Sequence, residues 1–84
     1  MELCRSVFKI NSREDLANFI SELKIDLNQN NSEWENPSLE RFLEAMQGFV
    51  VNLDGWEKNC NIDTTKMTSW QLVGHLLLAA KMYE

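Results

Sequence analysis

The stretch from Trp34 to Trp56, WENPSLERFLEAMQGFVVNLDGW, leaves this chain little choice of fold. Its apolar residues Leu39, Phe42, Leu43, Met46, Phe49, Val50 and Leu53 recur at steps of three and four. At about 100° per residue that spacing gathers them on one stripe of an α-helix, whereas the alternation of a strand would scatter them over both faces. Asn36 can accept a hydrogen bond from an orphan backbone N–H, and Pro37, with its fixed φ and no donor, suits a first helical position. The helix is therefore predicted to start at Asn36-Pro37, to run over 37–56, and to be the one around which the others pack. Glu40, Glu44, Gln47, Gly48 and Asn52 fall on its outer side, with Val51 among the acids. Gly48 there is either a tolerated weak spot or a close approach by another backbone.

Two more helices follow from local signals. Ser12 precedes Arg13-Glu14-Asp15, which offers a cap and puts acids where the helix dipole favours them, so a helix is predicted over 13–28. Leu16, Phe19, Ile20, Leu23 and Leu27 form its inner stripe, Ile25 is the misfit outside, and the asparagines at 28, 30 and 31 end it. Thr68-Ser69-Trp70-Gln71 has the form of a capping box and predicts a helix over 69–83. Trp70, Val73, Leu76, Leu77 and Ala80 make its inner stripe, Leu72, Ala79 and Tyr83 widen it, and Leu78 and Met82 lie on the other side with Gln71 and His75. One face cannot bury all of these. Either Val7 to Ile10, predicted as a short extended segment, covers Leu78 and Met82, or they form an exposed patch that meets another chain.

Trp34, just ahead of the expected cap, is positioned to fold back on Leu39 or Phe42 as a hydrophobic staple does. Residues 57–67 carry neither period and are expected to be the longest loop. The fold class is thus all-α: a compact three-helix array with a short extended N-terminal segment. It forms a single domain over 1–84, with residues 1–6 mobile. The expected core contains Leu16, Phe19, Leu23, Phe42, Met46, Phe49, Val73 and Leu77. In a chain of 84 residues no second core fits, and the 44% hydrophobic content excludes a disordered chain.

The net charge of −5 is unevenly placed. Glu33, Glu35, Glu40, Glu44, Asp54 and Glu57 face Arg41 alone between residues 33 and 57, so that this region carries the whole imbalance. Such a surface repels phosphates, which argues against nucleic acid and leaves a basic protein as the compatible partner. No apolar run approaches the roughly 18 residues of a membrane span, and the N-terminus has no signal-peptide pattern, so the expected location is cytoplasmic. There Cys4 and Cys60 are expected to be free thiols. Neither they, nor lone His75, nor the carboxylates sit in a catalytic or metal-ligand signature. No catalytic residue, cofactor or metal is expected. The pair Glu40 and Glu44 is better accounted for as a solvated face than as an acid–base couple.

The motifs Ser12-Arg13-Glu14-Asp15, Trp34-Glu35-Asn36-Pro37-Ser38-Leu39 and Ala79-Ala80-Lys81-Met82-Tyr83-Glu84 together resemble a family of small bacterial domains of unknown function. In that family a capped first helix is followed by a W-E-N-x-[ST]-L helix start and a closing helix ending near Y-E. The resemblance runs over nearly the whole chain. It implies a bacterial source and a mainly helical single domain, brings no activity, and by analogy suggests an accessory or immunity-type protein.

Two function classes are therefore carried forward. The first is a non-enzymatic protein-interaction module, in which Glu33, Glu35, Glu40 and Glu44 steer toward a basic partner and Trp34 or Val51 serves as an apolar anchor. The second is a structural protein that self-associates through Leu78 and Met82, a homodimer rather than a monomer.

Overall fold

The computed structural model describes residues 3–82, and every regular element among them is helical. Helix α1 (Leu3–Ser6) runs straight into a 3-10 turn at Val7–Lys9. Helix α2 spans Arg13–Gln29, α3 Leu39–Val51, α4 Leu53–Cys60 and α5 Ser69–Met82, with further 3-10 turns at Asn31–Glu33 and Thr64–Lys66. The fold is all-α, with five helices in place of the three expected. Tyr83, placed on the flank of the last helix, and Glu84 lie outside the described residues.

The central helix is α5, not the 34–56 segment: it packs on α2, on α3 and on the N-terminal turn, while α2 and α3 meet mainly through it. Its broad apolar character is the reason, because only a helix covered on several sides can use apolar residues so far around its circumference. The expected 37–56 helix is corrected in two ways. Asn36 does not cap it. Its backbone N–H donates to the Lys81 carbonyl (3.3 Å) and its side-chain amide to the Ala80 carbonyl (3.1 Å), which satisfies carbonyls that the last turn of α5 leaves without helical partners. Ser38 is the cap instead, its hydroxyl accepting from the Arg41 N–H at 3.3 Å. At Asn52 (φ −102°, ψ 23°) the chain leaves helical geometry, and the Asn52 side-chain amide donates to the Gly48 carbonyl, a local bond that competes with helix continuation.

Residues 57–67 are more ordered than a loop. Helix α4 continues to Cys60 and stops at Asn61, which is left-handed (φ 55°), a conformation asparagine tolerates better than most residues. The Glu57 carboxylate then accepts from the Thr64 N–H (2.9 Å) and hydroxyl (3.0 Å), pinning the following turn.

The N-terminal segment is helical rather than extended, and Leu3, expected to be mobile, is buried. Val7 and Ile10 are each only 1% exposed and cover Leu78, which is buried with them, while Met82 stays exposed. Gly74 makes this possible. A Cβ there would collide with Ile10 Cδ1 and lie 3.3 Å from Val7 Cγ2. Gln71 contributes as well, but not as the far half of a capping box: Thr68 accepts from the Gln71 N–H (3.1 Å), while the Gln71 amide donates to the carbonyls of Phe8 (3.2 Å) and Ile10 (3.3 Å).

Of the expected core, Leu16, Phe19, Leu23 and Phe49 are buried and Phe42, Met46 and Leu77 partly so, whereas Val73 is exposed. The buried line of α3 passes through Phe42, Ala45 and Phe49. Small side chains at Ala45, Ala79 and Ala80, all buried, suit a close approach of α3 to α5, the most extensively packed helix pair. That choice turns Leu39, Leu43 and Val50 away from the core.

Candidate functional site

Between α2 and α3 an open apolar trough of about 440 Å3 runs over α5. Ile20, Leu23 and Leu27 of α2 form one wall, Leu39 and Phe42 of α3 the other, and Leu77 of α5 the floor, with Trp34 to Ser38 closing one end. Trp70 and Val73 stand on the same stripe of α5 as Leu77 and are exposed. Leu39 (73% exposed), Leu43 (53%) and Val50 (49%) extend the α3 wall outward as a row of uncovered aliphatic side chains.

The closed end is fixed by a buried polar cluster. The Trp34 indole N–H donates to Asp26 Oδ2 (2.8 Å), its ring stacks on Phe42 at 6.2 Å between centroids and 21° between planes, and Asn30 donates to Asp26 Oδ1 (2.9 Å). Lys81 Nζ lies 2.8 Å from Asp26 Oδ2 and 5.6 Å from the Trp34 ring centroid. Foremost the hydrogen bond from Lys81, and then those of Asn30 and Trp34, hold the Asp26 carboxyl at about 2 against the opposing effect of burial. Every member has partners, so the cluster builds the wall rather than performing chemistry. Sequence reading missed it. The available signal was a carboxylate on the same stripe as Phe19 and Leu23, where an unpaired charge would be costly.

The acidic residues singled out from the sequence divide into two sets. Glu40, Glu44 and Val51 share one exposed side of α3, next to the aliphatic row, and Glu33 and Glu35 are exposed in the linker on either side of Trp34. Trp34, named with Val51 as an apolar anchor, is buried and lines the trough end. Glu57 is drawn into the turn at Thr64, so the acids of residues 33–57 do not form a single surface. Of the two residues assigned to self-association, Leu78 is in the core and Met82 is exposed on the far side of α5.

A family model described as a family of unknown function, DUF7660, matches residues 12–84. The chain belongs to this family. The DUF7660 match contains α2 to α5 and with them the whole trough, while α1 and the turn at Val7–Lys9 precede it. No curated protein and no solved structure matches the chain.

Outside the trough, this DUF7660 chain buries its one histidine, which the sequence places on the same side of the last helix as Leu78 and Met82. His75 is 5% exposed, with its ring 4.8 Å from Phe8 and 5.2 Å from Trp56, and desolvation pushes its pKa down. Cys4 and Cys60 are exposed free thiols. Among the described residues no group of three or more His, Cys, Asp or Glu is arranged to hold a metal ion, and no helix is long and apolar enough to cross a membrane.

Proposed function

We infer that this protein is a non-enzymatic interaction module that docks an amphipathic, basic helix of a partner protein in the trough between α2 and α3. The observation that carries this reading is the exposed row Leu39, Leu43 and Val50 beside an open apolar trough, in a domain too small to leave such surface idle. A helix laid in a groove presents anchors at three- and four-residue steps, which an elongated apolar trough accepts. Charge favours a basic partner on the outer side of α3, where Glu40 and Glu44 are exposed next to the aliphatic row, although the one charged side chain lining the trough among the described residues is Lys24. A bacterial, cytoplasmic accessory or immunity-type protein that holds a basic partner is the setting this suits.

The test uses two designed 18-residue amphipathic peptides, one of leucine and lysine and one of leucine and glutamate, titrated into labelled protein and followed by amide NMR shifts. The leucine–lysine peptide should perturb residues 20–27 and 39–50, bind more weakly at high salt, and lose binding in the double variant Leu39→Glu, Leu43→Glu. Equal binding of both peptides, or shifts elsewhere, would refute the docking site. A concentration-dependent dimer dissolved by the same double variant would assign the surface to a second copy of this chain instead.

A further inference from the structure

The two walls of the trough differ in charge. On α2, Lys24 lines the trough, is exposed and forms no ion pair among the described residues. The residues at helical spacing around it, Ala17, Ile20, Ser21, Leu27 and Asn28, are all uncharged. Glu22 and Asp26, two residues to either side, point roughly 200° away from it. On α3 the signs are reversed. Exposed Glu40 and Glu44 directly follow Leu39 and Leu43 of the aliphatic row, and Arg41, the one base of that helix, points roughly 200° away from both leucines. The trough is thus an apolar floor between a cationic rim and an anionic one.

A helix seated there meets a different charge along each flank. A flank that carries the sign of the rim it faces is repelled, and complementary charge across an interface fixes register more than it adds affinity. Turning an amphipathic helix end for end, with its apolar seam kept on the floor, exchanges its flanks. Flank charge therefore also decides the direction in which the helix lies.

We propose that the helix docked in the trough is charge-zoned, acidic on the flank beside Lys24 and basic on the flank beside Glu40 and Glu44, and is held in one direction by that pattern. This rests on the helix docking inferred above and adds what the partner must present: an apolar seam with acids along one edge and bases along the other. Two carboxylates against one ammonium give the basic edge the larger share, in keeping with a partner that is basic on balance. Each contact is an exposed ion pair that contributes little alone, so the pattern acts on orientation more than on strength.

Two 18-residue peptides of identical composition test this. One has leucines in the seam, glutamates on one flank and lysines on the other; the second has the flanks exchanged. Each carries a nitroxide at its N-terminus, and amide broadening in labelled protein reports which end of the trough that terminus occupies. Ser38 marks the closed end, while Ile20, about 10 Å before Leu27 along α2, and Val50 mark the opposite end. One peptide should broaden the amides around Ser38 and the other those around Ile20 and Val50, and the distinction should fade at high salt. Lys24→Glu, at an exposed position, should let either peptide broaden both ends and should tighten the leucine–lysine peptide about threefold. Broadening at the same end by both peptides, a direction unchanged by Lys24→Glu, or no binding of the zoned pair where the leucine–lysine peptide binds would overturn the zoning and leave the docking site standing. No binding of any of the three peptides in the trough would overturn both.

Discussion

Asp26 and Lys81 show how much depends on one pair. Both are mostly buried, and removing one partner of such a pair strands the other charge in a poorly solvating site. Lys81→Met should therefore cost about 3 kcal/mol in chemical denaturation. Asp26 also sets an acid limit. Its pKa is about 2 in the folded protein against an ordinary 3.8, so the ionised form stabilises the fold above pH 3.8 and that contribution is lost as pH falls through 3.8 toward 2. The difference is worth about 2 kcal/mol at neutral pH. The sign for His75 follows from the opposite charge type. Burial lowers its pKa below 6.5, so below that pH the unfolded chain takes up a proton that the folded one refuses, and stability falls as pH drops from 6.5 toward the folded value. Denaturation midpoints between pH 7.5 and 5.5 should show this decline in the parent and not in a folded His75→Gln variant.

At the scale of elements, two glycines make opposite predictions from one substitution. Gly55 lies within α4 with nothing near a Cβ, so Gly55→Ala should stabilise by about 1 kcal/mol through helix propensity. Gly74→Ala gains the same propensity but drives a methyl into fully buried Ile10, an overpacking cost of about 1–3 kcal/mol, and should be net destabilising. Thermal melts of the two variants should move in opposite directions. Ser38→Ala should cost about 1 kcal/mol at the start of α3. The capping sites also show what the sequence could disclose. Ser12 and Thr68 were legible because a cap and the N–H it serves lie three residues apart. Asn36 was misread because its partners, Ala80 and Lys81, are on the last helix, and no local pattern reports a bond across 44 residues. Periodicity identified which side chains share a stripe on α3. It did not fix which way that stripe turns, because Ala45, whose small side chain suits a close helix approach, weighs little in any count of large apolar residues.

The Cα trace spans 32 × 27 × 18 Å, and its shortest dimension accommodates two layers of helices. A central helix in a slab of that depth is covered on three sides at most, which leaves the trough open on the fourth. This was not legible in the sequence, since it depends on the separation of α2 and α3 rather than on the character of either. The N-terminal turn supplies one of the three covers, and residues 3–10 stand outside the family match, so a chain trimmed to residues 12–84 should lose cooperative melting. A sharp transition near the parent's midpoint in the trimmed chain would contradict the packing of Val7 and Ile10 described above. Among the described residues the long-range polar ties of Gln71 to Phe8 and Ile10, Lys81 to Asp26 and Asn36 to Ala80 all have one end on α5. On the ribosome, α5 is the last of these helices to emerge, and α1, α2 and α3 must wait for the helix that they enclose. The earlier segments meet one another through smaller contacts, such as Trp34 with Asp26 and Phe42, so the larger part of the packing should form late, when α5 becomes available.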